Sequence, residues 1–506
     1  MSAEDIIKAL EDAEEFTELD ERLAKLDRND VGNARRLLAR HGQDLLHVRE
    51  VGWHVWTGTH WCGETGPIEA VKLAQSTAAA MKGEANALVH AGALPWETDA
   101  QFAERITSAR KWAVQSGNQN RLSAMVLQAS PHRAVRVDDM DADPMLLNVA
   151  GGTIQLGPVD GPGDGGVLAR PHRREDRITK ILPVAWEPEA TCPRWLAFLE
   201  MIQPDPEVRT FLQRWFGYCL TGRTDEECLL ILHGEGANGK STVVDVILHL
   251  LGGFGCTLPI ASLLQEDRGR RGADATPDLA RLTGMRLVST GEADASARLA
   301  EGTVKLWTGG DRLTARHLNQ GFFDFKPEFK LVISTNKRPV VRGQDHGIWR
   351  RLILVPFGVR IENPRRKADV MAEFLEELPG ILNWLLDGYR MWAERGLAVP
   401  DAVRAATTNY RDESDPVGEF LAAAVERRPG VLTSAATLYA AYCRWCRASS
   451  ITPFKNNGFG RAVSEHGWSR VKVGTYSYQD MALVNSFAGH DAPDEPPPEP
   501  GEWMPD

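Results

Sequence analysis

The stretch Gly234-Glu235-Gly236-Ala237-Asn238-Gly239-Lys240-Ser241-Thr242 follows the apolar run Cys228-Leu229-Leu230-Ile231-Leu232 and leads into Val243-Val244-Asp245-Val246-Ile247. The order reads as a strand, a glycine loop and a helix. Each part answers a need of polyphosphate chemistry. Glycines let backbone N–H groups approach phosphate oxygens, a helix N-terminus faces the anion, and Lys240 can reach the outer phosphates. Ser241 then supplies a hydroxyl for a magnesium ion. The spacing G-x-x-x-x-G-K-S in this strand-to-helix setting points to phosphate binding by Gly234 to Thr242 rather than to a structural glycine turn.

Downstream, Leu279 to Met285 leads into the strand Arg286-Leu287-Val288-Ser289-Thr290, which ends on Gly291-Glu292-Ala293-Asp294. A carboxylate at the carboxyl end of a neighbouring strand can activate water or hold the metal shell. These roles fall to Glu292 and Asp294 respectively. The next strand, Phe329 to Ser334, ends on Thr335-Asn336-Lys337. Asn336 is placed to hydrogen-bond the γ-phosphate and the attacking water without adding negative charge. Pro339 stands where the guanine-reading N-K-x-D pattern has its carboxylate, which argues against a GTPase. In Ile348-Trp349-Arg350-Arg351-Leu352, two arginines precede another strand. Either they neutralise phosphoryl-transfer charge across a subunit boundary or they are a surface pair.

Among the 506 residues no apolar run approaches the roughly 20 of a membrane-spanning helix. The first 28 residues lack the basic start and apolar core of a signal peptide, so a cytoplasmic protein of about three domains is expected. Seven scattered cysteines suggest free thiols, and Cys443 and Cys446 fit helix packing better than zinc. The net charge of −11 includes six acids and no Lys or Arg between Asp491 and Asp506, a Pro-rich stretch expected to be disordered. The remaining −5 does not exclude nucleic acid, because a narrow pore needs only a few placed cations. Asp138, Asp139, Asp141 and Asp143 crowd one short stretch before Pro144 and read as a turn, whereas two-metal carboxylates come from separate strands.

Taken together, Gly234 to Thr242, Leu279 to Val288 with Glu292 and Asp294, Lys305 through Arg316 to Phe325, Lys330 to Asn336 and Trp349-Arg350-Arg351 resemble the superfamily 3 helicases, in particular the primase-helicases of phages, plasmids and poxviruses. The resemblance covers about 125 residues of the chain. It implies an α/β fold with an AAA+-like P-loop NTPase core, ATP and Mg²⁺ as cofactors, and a ring, expected to be a hexamer. Carried over by position, Lys240 and Ser241 bind phosphate and magnesium, Glu292 activates water and Asn336 senses the γ-phosphate. Arg351 is the better match to the trans-acting arginine, with Arg350 in reserve. A pore hairpin is implied at Leu313 to Phe325, with Arg316, His317 and Lys305 on the phosphates of one DNA strand and Asn319-Gln320-Gly321 as its turn.

The flanks extend the likeness. Residues 1–30 read as an N-terminal helix, 31–188 as an α+β domain preceding the motor, 189–400 as the ATPase, 401–488 as a winged-helix-like domain and 489–506 as the acidic tail. Gly52 to Trp61, rich in Trp, reads as a β-hairpin on a helical layer, with His54 and His60 as strand residues rather than metal ligands. The C-terminal stretch reads as helices 418–426, 435–447 and 459–466 with two short strands about Val473-Gly474. Its Lys455, Arg461, Arg470 and Lys472 fit either DNA contacts or a solvated face. A complete primase domain is not expected, since it would need a long additional stretch upstream. The expected function is an ATP-dependent ring helicase for phage, prophage or plasmid replication, acting on single-stranded and forked DNA, 3′ to 5′ by the family's polarity, with a separate primase as a partner. The alternatives are an origin-binding initiator, loader or nucleotide switch, and a defence or packaging ATPase that does not translocate.

Overall fold

The computed structural model describes residues 16–158, 166–265, 277–292, 297–316, 321–341, 343, 345–362, 366–449 and 451–484. Helices α1 (Glu18–Leu23) and α2 (Asp30–His41) precede the antiparallel strands β1 (Leu45–Val48), β2 (Gly52–Trp56) and β3 (Trp61–Cys62). Helices α3 (Gly66–Ala91), α4 (Asp99–Ser116) and α5 (Gln119–Ala129) follow, and β4 (Ala134–Val135) joins the sheet in the order β3-β2-β1-β4. The expected hairpin forms, with Val55 opposite Cys62 and Trp56 opposite Trp61. Trp53 points from it onto Ala70, Ala74 and Ala78, a small-residue face of α3 that leaves room for an indole. His54 lies buried in β2, where loss of hydration pushes its pKa down. The Asp138–Asp143 stretch is a turn as read: Asp141 accepts from the Thr179 amide and hydroxyl at 2.7 and 2.6 Å, and Asp143 from the Met145 amide at 2.9 Å.

A second antiparallel sheet, β5 (Leu146–Val149), β6 (Gly152–Leu156) and β7 (Val167–Arg170), leads to α6 (Pro193–Ile202) and α7 (Pro206–Tyr218). Leu147, Ile154 and Val167 share one continuous core with Trp195, Phe211 and Trp215, so apolar packing runs across the boundary expected at residue 188. Next come β8 (Leu229–His233), α8 (Lys240–Leu251), β9 (Gly255–Leu258), the short α9 (Pro277–Ala280), β10 (Leu287–Thr290) and α10 (Glu301–Thr308). The hairpin β11 (Leu313–Arg316) and β12 (Phe322–Phe325), strand β13 (Lys330–Thr335), the short α11 (His346–Trp349) and β14 (Leu352–Pro356) complete this region. Strands β14-β8-β13-β10-β9 form a wholly parallel sheet.

The near-continuous apolar sequence of these strands reflects burial on both faces. Leu230 and Leu232 of β8 face α6, α7 and α8, whereas Leu229 and Ile231 face a second core built with the hairpin residues Leu313, Ala315, Phe323 and Phe325. Helices α12 (Lys367–Leu375), α13 (Leu378–Arg395) and α14 (Asp401–Glu413) continue the chain. Helices α7 and α13 touch backbone to backbone. A Cβ on Gly217 would lie 2.1 Å from the Tyr389 amide nitrogen, and one on Gly388 2.0 Å from the Gln213 carbonyl. Gly217→Ala is therefore expected to destabilise the fold by about 3 kcal/mol, read as a fall in denaturant midpoint, because a rigid backbone cannot yield to the new methyl.

The C-terminal part comprises α15 (Pro416–Ala424), β15 (Val425–Ser434), α16 (Ala435–Ala448), α17 (Asn456–Glu465), β16 (Arg470–Val473) and β17 (Thr475–Leu483), around its own core of Phe420, Tyr442, Phe459 and Tyr478. Two expectations are corrected here. The first helix ends at Ala424 rather than Glu426, and a strand absent from the sequence reading follows because Val425 to Arg427 and Leu432 to Ser434 pair with β17 on either side of a register break. Asp415 caps α15 through the Gly418 amide and also reaches His466 at 2.9 Å. That carboxylate raises the His466 pKa with help from Glu465, against burial and Arg411. A raised value means that the folded state holds the proton more tightly. The stabilisation is full below the unfolded-state value of about 6.5 and is lost as pH rises through the folded-state value. Amide exchange in α15 and α17 should speed up across that rise, and His466→Gln should flatten the dependence.

Candidate active site

Gly234 to Gly239 connect β8 to α8. The loop turns through Ala237 and Gly239, whose φ values of 52° and 82° lie in the left-handed region. Gly234 is required for a different reason: a Cβ there would stand 2.2 Å from the Phe357 carbonyl. Gly236 has no neighbour within 4 Å of such an atom and presents open backbone.

Lys240, only 3% exposed, turns its ammonium back over the loop. It donates to the Gly234 carbonyl at 2.5 Å, to Asn238 Oδ1 at 2.9 Å and to Asn336 Oδ1 at 3.1 Å. Burial pushes its pKa down, and the Glu292 carboxylate opposes the shift. Asn336 in turn donates from Nδ2 to Glu292 Oε1 at 2.7 Å. Three side chains expected to act together, 52 and 96 residues from the first to the others, thus form one hydrogen-bonded chain at the carboxyl ends of β8, β10 and β13. Glu292 is exposed, as is the Ser241 hydroxyl in the first turn of α8. Asp294 lies outside the described residues.

The arginine pair is divided by the structure. Arg351, expected to be the one that reaches a neighbour, is buried and engaged within its own chain: it donates to Thr308 Oγ1 at 3.2 Å, the Gly347 carbonyl at 2.8 Å and Glu227 Oε2 at 3.0 Å. Arg350 is the more exposed and is held by the same Glu227 oxygen at 2.5 Å. Glu227 was not foreseen. It sits in the turn before β8 with a φ of 46°, 123 residues from Arg350, and no local pattern announces it.

Of the residues expected on DNA, Arg316 ends β11 with its guanidinium 5.1 Å from the ring of Phe322, its cross-strand partner. His317, Asn319 and Gln320 lie outside the described residues. Lys305 is not on the hairpin. It projects from α10 to Asp345 at 2.9 and 3.0 Å, beside the arginine cluster.

Comparison with known proteins places these observations in context. Residues 34–204 match the family described as "D5 N terminal like". "Putative helicase L207/L206" of Acanthamoeba polyphaga mimivirus is 33% identical over 241 residues, covering 44% of this chain and 25% of that protein. "Putative helicase 022R" of Frog virus 3 is 28% identical over 275 residues, covering 50% and 28%. "Putative primase C962R" of African swine fever virus is 24% identical over 225 residues, covering 43% and 22%. The chain therefore spans about a quarter of the length of the curated relatives it matches. A solved structure, the apo C-terminal region of NrS-1, aligns at a TM-score of 0.39 and 13% identity over 60% of this chain and 78% of that one. No described helix is long and apolar enough to cross a membrane.

Proposed function

We propose that this chain is the ATP-hydrolysing motor of a DNA helicase of the superfamily 3 type, built on an AAA+-like P-loop core with a C-terminal winged-helix-like domain. The observation that carries the reading is the Lys240–Asn336–Glu292 chain at the carboxyl edge of a parallel sheet, directly above a glycine loop that leads into a helix. Likeness to proteins named as helicases and primases of large DNA viruses supports the choice of DNA as the track.

In this reading the loop amides from Gly234 to Thr242 hold the β- and γ-phosphates of ATP. Lys240 exchanges its three oxygen partners for phosphate oxygens. Ser241, exposed in the first turn of α8, and Asp294, four residues beyond β10 in the sequence, would hold a hard cation beside those phosphates. Mg²⁺, when bound there, neutralises phosphate charge. Glu292 accepts the proton of the attacking water, and Asn336, already bonded to it, orients that water against the γ-phosphate. Arg350 is the cation offered to a neighbouring copy, and Arg351 fixes the turn that presents it. The β11–β12 hairpin, with Arg316 and His317, grips one DNA strand in a ring, expected to be hexameric, that moves 3′ to 5′.

Two outcomes test this directly. Glu292→Gln should retain ATP binding while hydrolysis falls at least about a hundredfold, because water activation alone is removed. Arg316→Ala with His317→Ala should retain ATPase and lose strand displacement on a forked substrate. Displacement equal to that of the unmodified protein would refute the hairpin's role. ATP-dependent assembly without displacement by the unmodified protein would leave the initiator or switch reading in its place.

A further inference from the structure

We propose that the face formed by α17 and the β16–β17 hairpin is a second DNA site, separate from the motor, which binds the phosphate backbone of duplex DNA through Lys455, Arg461, Arg470 and Lys472. The first observation is charge segregation. Residues 416–484 carry eight Arg and Lys against four Asp and Glu, a net +4 within a chain of net −11.

The second observation is how the cations are held. Lys472 and Tyr476 are directly opposite across the hairpin, and Tyr476 is 51% exposed. The Arg470 guanidinium lies 4.0 Å from its ring centroid and the Lys472 ammonium 5.8 Å. One ring thus fixes two long side chains that would otherwise lose entropy on binding an anion. Arg470 also leans on α17, where a Cβ on Gly460 would be 3.9 Å from its Nη1. On α17, Arg461 is exposed, as are Lys455 at the cap and Asn456 and Asn457 in the first turn. Among the described residues none of the four cations forms an ion pair within the chain. Of the module's four acids, Asp480 accepts from the Gly430 amide, Glu426 pairs with Arg428, Glu419 lies in the first turn of α15, and Glu465 ends α17 one turn beyond Arg461 without an ion pair to it.

Duplex is favoured over a single strand because a stacking platform needs an open aromatic face, and Arg470 already covers that of Tyr476. A helix flanked by a basic hairpin instead suits a groove and its adjoining phosphates, with Asn456 and Asn457 near base edges. The choice of DNA rests on the helicase reading, but the site does not depend on ATP hydrolysis.

The test is fluorescence anisotropy of the full chain on a labelled 20-base-pair duplex and on a single strand of equal length, across a salt series. Arg470→Gln with Lys472→Gln should weaken duplex binding about tenfold and reduce the slope of log K against log salt by about 1.8, at roughly 0.9 per lost phosphate contact. Single-strand affinity should change less than twofold. Lys82→Gln with Arg110→Gln, which removes the same charge from exposed positions of α3 and α4, should leave both affinities unchanged. Equal duplex affinity and slope in the Arg470/Lys472 variant and the unmodified chain would overturn the site, as would equal loss in the control. A chain that hydrolyses no ATP yet shows the expected duplex pattern would retain this site and lose the motor reading.

Discussion

Lys240→Ala should leave the chain without measurable ATP hydrolysis, at least about a hundredfold below the unmodified protein, and without retained ATP in equilibrium dialysis. The ammonium is the only cation hydrogen-bonded at the loop among the described residues, and it bridges the loop carbonyls to Asn336. Its removal unties Asn336 from the loop and, in the proposed motor, deletes the charge that would face the outer phosphates. Lys240→Arg should not restore function, because a planar guanidinium cannot occupy a site enclosed by the Gly234 carbonyl and the Asn238 and Asn336 amides. Near-normal hydrolysis by Lys240→Ala would remove the loop from the chemistry.

Arg350→Ala should cost about 10³-fold in hydrolysis while leaving stability almost unchanged, since the side chain is half-exposed and an arginine finger is worth that much where one operates. Arg351→Ala should behave differently. Its guanidinium is enclosed and satisfies Thr308, Gly347 and Glu227, so truncation strands buried acceptors and should destabilise the fold by about 2 kcal/mol or more. Mixing inactive Lys240→Ala with inactive Arg350→Ala should recover part of the activity. Some interfaces in such a mixture join an intact loop to an intact arginine. Glu227 holds both guanidinium groups through one oxygen, and Glu227→Ala should free Arg350 while weakening the seat of Arg351.

The chain's organisation is readable where chemistry and periodicity coincide. Strand β8, the glycine loop and α8 follow from an apolar run, a glycine spacing and a helical run in immediate succession. Glu292 and Asn336 could be located because parallel strands deliver their carboxyl ends to one edge, which turns distant positions into neighbours. Features set by remote partners were not readable. Strand β15 contains Arg427-Arg428-Pro429-Gly430, a turn-like string that hides a strand: the ladder to β17 runs through Arg427, breaks there, and resumes at Leu432, with Gly430 at a φ of 83° in the irregular part. The sheet β5–β7 joins the core of α6 and α7 because Leu147 and Ile154 find Trp195 and Trp215 in space. The two adjacent arginines look equivalent until Thr308 and Glu227, 43 and 124 residues from Arg351, bury one of them. Lys305, implied as a DNA contact by the resemblance, pairs in the structure with the facing Asp345, 40 residues away.

Specific ATPase activity measured across a dilution series, with the mass of the assembly recorded at each point, tests the proposed shared site most directly. A nucleotide clamped between two copies requires activity per chain to fall as the assembly dissociates, and Arg350→Ala to be inactive at every concentration. Constant activity per chain down to the monomer, unaffected by Arg350→Ala, would contradict a site completed by a neighbour.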